Sequence, residues 1–333
     1  MLQVNCTNVH NGEMTDAALP RDLAAALSAA TAHYLQGETM EAIAERMGVS
    51  RSTVSRLLKQ ARASGLVEIR IRSPLEAPRL LARQLHDRYR ITTHAVSVPG
   101  DASHVERLEL VAAAASDVID AHVGSHMTIG IAWGSTLAAV SRHLRPKPTS
   151  GTLFVQLNGS GNTHTTGLGY ASDLLSRFGR AFSAQAQQFP VPAFFDDPAT
   201  KTALWRERSM RRILDAQARM DTVIFSVGAP GSSVPSHVYA GGYLEESDLQ
   251  ELIRERVVGD VATVFYRADG SSADIALNAR ATGPALIQLV RVPRRICVVA
   301  GESKLDSVRG ALAAGLVTDL VIDEPTARAL AAA

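Results

Sequence analysis

The chain has only two cysteines in 333 residues, Cys6 and Cys297, and neither has a CxxC partner. A disulfide framework is therefore excluded, and no cluster of His and Cys shows metal-ligand spacing. No apolar run approaches the roughly 18–20 residues that cross a bilayer. The first twenty residues, MLQVNCTNVHNGEMTDAALP, lack a basic segment followed by an apolar one, so no signal peptide is visible and a soluble, cytoplasmic protein is expected. A dinucleotide GxGxxG and a Walker lysine are missing too, and no cofactor is implied. Net charge is nearly absent: 34 Lys and Arg stand against 33 Asp and Glu, giving +1. A generally basic coat is excluded, so any nucleic-acid binding must come from a local patch. What is present is 46% apolar and 20% charged residues, enough to bury a large core spread over two or three domains.

Residues 1–20 show no periodicity and read as a flexible tail. From Arg21 to about Gln36, Leu23, Leu27, Ala30 and Tyr34 recur at helical spacing, and Gly37 stops the run. A second helix is expected from a Thr39 cap to Met47, with Met40, Ile43, Ala44 and Met47 inward. Gly48 then allows a tight turn. Ser50 can cap a third helix that continues to about Ala63 and ends near Gly65. Its stripe Val54, Leu57, Leu58 and Ala61 opposes Arg51, Ser52, Ser55, Arg56 and Lys59. Two helices joined by a short turn, the second with a cationic outer face, make a helix-turn-helix. Arginine can hold guanine O6 and N7 together, and Ser or Thr can serve bases or phosphates. Arg51, Ser52, Thr53, Ser55, Arg56, Lys59 and Arg62 are the candidate DNA contacts. LVEIRIRS after Gly65 alternates apolar and polar and reads as a short wing strand, whose Arg70 and Arg72 suit phosphate.

The stretch YLQGETMEAIAERMGVSRSTVSRLLKQARASGLVEIRI, about residues 30–72, resembles the DNA-binding domain of the SorC family of sugar-responsive bacterial transcription regulators. GVSRSTVSRLLKQAR matches that family's recognition helix almost end to end.

Pro74 and Pro78 mark a break. APRLLARQLHDRYRI then offers a helix with Leu80, Leu81, Leu85 and Tyr89 on one side, read as a connector over 73–90 that can pair with another subunit or simply pack. Beyond it, apolar β-rich runs at 94–98, 127–133, 152–157, 221–227, 261–266, 296–301 and 319–323 alternate with helical patterns. Such alternation implies a parallel sheet covered on both faces. Cys297, inside one of these runs, reads as a core residue. In a sheet of this kind ligands bind beyond the carboxyl ends of the strands.

The strand-to-helix junctions are therefore the places to look. Gly134, Ser135 and Thr136 open a helix, and free N–H groups with two hydroxyls suit a phosphate, although Ser135 also suits a plain cap. Asn158, Gly159, Ser160 and Gly161 form a glycine-rich loop after a strand, and Gly228 and Gly231 follow another. Asp260 lies just ahead of an apolar run, where an unpartnered carboxylate is costly; a sugar hydroxyl, a lysine or a backbone N–H would each satisfy it. Ser303 reads as a cap with Lys304 in the first turn of the next helix. A cation there opposes the helix dipole, which points to an anion nearby, with Asp306 as a partial partner.

GIAWGSTLAAV, GYLEESDLQEL, VVGDVATVFYRADG and VVAGESKLDSVRGALAAGLVTDLVIDEPTARAL are similar to the signatures of the SorC-family effector domain, covering about 75–331. The resemblance implies a Rossmann-like fold resembling sugar-phosphate isomerases and an effector that is a phosphorylated sugar or a relative. It carries the family's glycine-hydroxyl turn to Gly134, Ser135 and Thr136, its acidic residue to Asp260 and its late lysine to Lys304. Some members place a lysine that can meet a sugar aldehyde in the strand-following loop, where this chain has Asn158.

The expected chain is thus α/β: a tail (1–20), a winged helix-turn-helix (21–72), a connector helix (73–90) and an effector and oligomerisation domain (91–333). The effector candidates are Gly134, Ser135, Thr136, Asn158, Gly159, Ser160, Gly228, Asp260 and Lys304. The expected partners are double-stranded operator DNA, a sugar-phosphate effector and further copies of the chain, as a dimer or tetramer. An isomerase is the alternative, but Asp196, Asp197, Asp260, Asp269, His164 and His237 fall into no base-and-acid pattern. The fused DNA reader favours a regulator, repressor or activator, over an enzyme.

Overall fold

The protein, a computed structural model, is described over residues 21–67, 76–231 and 236–332. It divides into two compact units, Met1–Arg72 and Ser73–Ala333. The expected tail and the wing strand with Arg70 and Arg72 lie outside the described residues.

The first unit is built from α1 (Arg21–Ala30), a π-helical turn (Thr31–Leu35), α2 (Met40–Met47) and α3 (Arg51–Ala63). Thr39 caps α2 by accepting from the Ala42 N–H, and Ser50 caps α3 by accepting from the Thr53 N–H. Gly48 ends α2 at φ 65°, a left-handed conformation that glycine takes without a steric penalty. The core differs from the expected stripe on α1. Ala30 is inward and Tyr34 packs against the core as expected, but Ala26 and Ala29 join Ile43, Ala44, Val54, Leu58 and Ala61 there, whereas Leu27 is 39% exposed. Small side chains let α1 approach α3 closely, and the larger leucine then turns outward.

In the second unit α4 (Glu76–Tyr89) leads into β1 (Thr92–Val96), α5 (His104–His122), β2 (Thr128–Ile131), α6 (Ser135–His143), β3 (Leu153–Gln156), α7 (Leu168–Phe182) and β4 (Gln185–Gln187). Then come α8 (Pro198–Leu204), α9 (Arg208–Gln217), β5 (Thr222–Phe225), α10 (His237–Ala240), α11 (Glu246–Arg254), β6 (Val257–Val261) and β7 (Val264–Arg267). The chain ends with α12 (Ala276–Arg280), α13 (Leu286–Val290), β8 (Arg294–Val299), α14 (Leu305–Ala313), β9 (Asp319–Asp323) and α15 (Glu324–Ala332).

Seven strands pair in parallel in the order β1-β9-β8-β5-β2-β3-β4. Successive side chains alternate between two apolar layers, as strand geometry requires. Val223, Phe225, Cys297, Val299, Leu320 and Ile322 pack with α4, α9, α14 and α15, while Ile224, Ile296, Val298 and Val321 pack with α5, α6 and α7. Cys297 is fully buried, a core side chain. Helix α4 is also part of this core, since Leu85 is fully buried and Leu81 is 6% exposed.

One expected sheet strand is absent from the sheet. Residues 261–266 belong to an antiparallel hairpin, β6–β7, that stands apart from it. The hairpin is tethered by an isolated bridge in which the Gly228 N–H donates to the Asp260 carbonyl at 2.9 Å. A buried apolar run looks alike in a sheet or a hairpin, so periodicity alone does not distinguish them. Among the described residues no helix is long and apolar enough to cross a membrane.

Ser50→Ala should destabilise the start of α3 by about 1 kcal/mol. Faster amide hydrogen exchange in α3, with β5 and β8 unchanged, is the expected result. Unaltered exchange in α3 would show that the cap contributes nothing.

Candidate functional site

On α3 the outward arc carries Arg51, Ser52, Arg56 and Lys59, all exposed, with Thr53 and Ser55 half-buried beside them. The opposite arc, Val54, Leu58 and Ala61, is in the core. The Ser50 hydroxyl lies 2.7 Å from that of Ser52 and 2.9 Å from that of Thr53, which orders the first turn. Arg51 pairs with Glu41 at 2.8 Å, an exposed contact of small energetic weight that a phosphate can replace. Arg62 is placed differently: its Nε and Nη2 donate to the Tyr34 hydroxyl at 3.0 and 2.6 Å, tying α3 to the π-helical turn. It is a strut in the unit as well as a surface cation.

The second unit has a cleft at the carboxyl ends of β2, β3, β5 and β8. From β2 the chain proceeds through β3 and β4 to one side, then returns with β5, β8 and β9 on the other. Strand order reverses between β2 and β5, and such a switch point opens a crevice. Gly134, Ser135, Thr136, Asn158, Gly228, Asp260 and Lys304 all line it. Gly159 and Ser160 do not. The Gly159 carbonyl accepts from the Trp133 indole at 2.8 Å, its N–H donates to Thr282 Oγ1 at 3.0 Å, and the Ser160 carbonyl accepts from the Tyr243 hydroxyl. A Cβ on Gly159 would meet the Pro192 carbonyl at 2.2 Å, so the glycine serves backbone packing behind the wall.

Asp260 lies within the hairpin, 3% exposed. Its Oδ2 accepts from the Thr263 N–H at 3.2 Å, and its Oδ1 has no hydrogen-bond partner. Burial raises its pKa to about 6, against the pull of the Thr263 N–H, Tyr239 and Lys304. The Tyr239 hydroxyl is near enough to exert that pull, yet neither it nor Oδ1 reaches hydrogen-bond geometry. The hairpin turn is strained, for Ala262 and Thr263 have φ of 48° and 69°, on the order of 1 kcal/mol each for residues with a Cβ. Gly228 permits the approach: a Cβ there would lie 1.9 Å from Asp260 Oδ1.

Lys304 ends a 3₁₀ turn, Glu302–Lys304, and occupies the cap position of α14, with Ser303 inside the turn instead of capping. Among the described residues its Nζ makes only long contacts, 3.3 Å to Ser226 Oγ and 3.5 Å to Thr136 Oγ1. Burial lowers its pKa, opposed by Cys297 and Asp260. Asp306, the expected partner, pairs instead with Arg309 at 3.1 Å. Among the described residues Lys304 has no ion pair. Its position is held from behind by Asp323, fully buried, which accepts from the Gly301 N–H at 2.7 Å and from Arg107 Nη1 at 2.7 Å.

A second unpartnered acceptor completes the pattern. Asn158, 1% exposed, lines the cleft with Oδ1 unpartnered. The sequence reading missed His104, Ser226, Ser236 and Thr263, and left His237, which also lines the cleft, without a role. For His104 a signal existed: Ser103 and Glu106 form a capping box that starts α5, aimed at the strand ends. Among the described residues no group of His, Cys, Asp and Glu could hold a metal ion.

Two sequence families match the chain, a "Homeodomain-like domain" over residues 28–68 and a "Putative sugar-binding domain" over residues 73–332. The chain belongs to the SorC-type family of sugar-binding transcriptional regulators. It is 29% identical over 304 residues to the deoxyribonucleoside regulator of Bacillus subtilis (strain 168), covering 91% of this chain and 96% of that one. It is 23% identical to the sorbitol operon regulator of Klebsiella pneumoniae, covering 93% and 98%. Among solved structures, a domain of a possible sugar-binding transcriptional regulator from Arthrobacter aurescens TC1 is 53% identical, with a TM-score of 0.73 over 78% of this chain and all of that one. The full-length sorbitol operon regulator SorC from Klebsiella pneumoniae, 21% identical, shares the fold at a TM-score of 0.68 over 94% of this chain and all of that one. This SorC-type regulator is therefore a transcriptional regulator with a helix-turn-helix and a sugar-binding unit.

The raised pKa of Asp260 has a definite sign. A carboxyl at about 6 in the fold and near 3.8 unfolded contributes stability fully below 3.8, and this is lost as pH rises through 6. Asp260→Asn removes that loss, so the variant should be more stable than the parent at pH 7.5 by at most about 3 kcal/mol. The gain should shrink toward zero near pH 4. Equal pH dependence of thermal unfolding in the two proteins would show that burial does not raise the Asp260 pKa above its unfolded value.

Proposed function

We propose that this regulator reads a palindromic operator through the exposed arc of α3, in two or more copies, and that a sugar phosphate or related polyol in the cleft controls it. One observation carries the ligand reading: Asp260 Oδ1 and Asn158 Oδ1, both buried acceptors without donors, share a cleft with the unpaired Lys304. Sugar hydroxyls supply donors to the two oxygens. An anionic group takes Lys304 Nζ, the hydroxyls of Ser135 and Thr136, and the free N–H groups at the start of α6, whose Gly134 cap position provides no side-chain hydrogen bond. Occupancy thus satisfies groups that the protein's own side chains leave without partners.

The named relatives support a sensor over an enzyme, being called transcriptional regulators, and one is called a sorbitol operon regulator. Asp260, His104 and His237 are base-capable groups of the cleft wall of the kind an isomerase would need, and we infer that here they bind and do not turn over. The residues 73–90 act as the link between reader and sensor, 91–333 as the sensor, and the regulator works in the cytoplasm, where its operator is. Control of DNA binding demands that the effector favour one arrangement of the copies over another, since equal affinity shifts nothing.

A thermal-shift screen with sugars, polyols and their phosphates tests the ligand. At about 100 times its dissociation constant, a true effector adds about 2.7 kcal/mol. Lys304→Ala should lose the shift from phosphorylated ligands and keep operator binding. Arg56→Ala should lose operator binding and keep the shift. A Lys304→Ala protein that responds normally, or conversion of the hit by the parent protein, would overturn the assignment.

A further inference from the structure

The near-neutral chain carries a second cationic surface that the sugar cleft does not use. Helix α9 is held to the sheet by Met210, Ile213 and Ala216 in the core, and by Gln217, whose Nε2 donates to the carbonyls of Gln156 and Leu157 at 2.8 and 3.0 Å. With that face fixed inward, helical geometry puts Arg208, Arg211 and Arg212 on the outward one, and Arg219 follows just past the C-terminus. With Arg206 just before the helix, five exposed arginines fall within 14 residues, opposed by Glu207 and Asp215. Among the described residues none of the five makes an ion pair or a side-chain hydrogen bond. Arg211 and Asp215 stand at the i,i+4 spacing that favours a pair, yet do not form one.

We propose that the outward face of α9 is a second DNA-contacting surface, one that meets phosphates of duplex flanking the operator. The proposal rests on the reading of α3 as the operator reader. Three features select a phosphate backbone as the partner. The cations are all arginine, whose planar fork matches phosphate oxygens. Three of them sit on a helix packed against the sheet, and among the described residues none has an intramolecular anion to displace. The chain is already anchored to DNA by its other unit, so tethering makes individually weak phosphate contacts effective. Contacts of this kind add affinity and salt dependence without sequence preference.

The test uses full-length protein with Arg208, Arg211, Arg212 and Arg219 all changed to Gln, alongside the parent and Arg56→Ala. Binding to a long random-sequence duplex is followed by fluorescence anisotropy across a salt series. The slope of log K against log salt should flatten by about 0.9 for each phosphate that is no longer neutralised, so by about 2–4 in the quadruple variant. Arg56→Ala should flatten it by about one. On a duplex trimmed to a length that only the reader covers, the quadruple variant and the parent should agree. An unchanged slope on the long duplex, with the Arg56→Ala slope reduced, overturns the α9 proposal and leaves the reader intact. A changed sedimentation coefficient in the quadruple variant also overturns it, since the face would then join copies of the chain. A parent protein that binds neither duplex removes both readings.

Discussion

Two buried groups of opposite charge that do not pair, Asp260 and Lys304, set the terms for the sensor unit. Burial alone pushes both toward neutrality, raising one pKa and lowering the other. In a core of this size the usual remedy is a direct ion pair or a full set of hydrogen bonds. Here neither is made. Asp260 keeps one oxygen bare, and Lys304 touches only two hydroxyls at long range. The geometry is not slack, since each group is fixed by its own scaffold: Asp260 by a strained hairpin bridged to Gly228, Lys304 by a turn that Asp323 grips through the Gly301 N–H. A site that holds its groups apart at a cost to its own stability suits the ligand-binding role proposed for it.

That scaffold also explains why the hairpin exists. A seven-stranded parallel sheet can place loops above its strand ends, yet a loop alone would not bury a carboxylate. Residues Val257–Arg267 fold over the carboxyl end of β5 as a second, small sheet, and Ser307 reaches across to lock it. The Ser307 hydroxyl donates to the Gly228 carbonyl at 2.6 Å and lies 2.9 Å from the Tyr266 hydroxyl. The wall that carries Asp260 is thereby rigid on one side and open to the cleft on the other.

Much of this was legible in the chain. The caps Thr39 and Ser50 and the turn at Gly48 announce the helix-turn-helix through local chemistry, which neighbours in sequence decide. Strand ends at Gly134, Asn158, Gly228 and Lys304 announce the cleft, because a parallel sheet gathers them whatever the loops do. Three things were illegible, each for a physical reason. The inward face of α1 is alanine, a choice made by how closely α3 approaches and not by hydrophobicity. The run at 261–266 is apolar in a sheet and in a hairpin alike. Ser226 and Ser236 come to the cleft from segments whose shared feature is three-dimensional position. Arg62 illustrates a further limit, since a cation on the recognition helix can be held by a tyrosine 28 residues away.

The same physics constrains how binding in one unit can act on the other. A ligand shifts an equilibrium only by its differential affinity, so the groups that must distinguish two arrangements are those whose surroundings can change. Asp323 and Gln217 cannot, being satisfied and enclosed. On the proposed reading Asp260 Oδ1, Asn158 Oδ1 and Lys304 can, because a bound effector would offer each a new partner. Their walls belong to different elements: the β6–β7 hairpin, the end of β3, and the turn before α14, which shares Asp323 with α5 through Arg107. A ligand that bridges these groups draws three separately supported walls together. Under the proposed function, the relative placement of the hairpin, α5 and α14 is the quantity that occupancy would set.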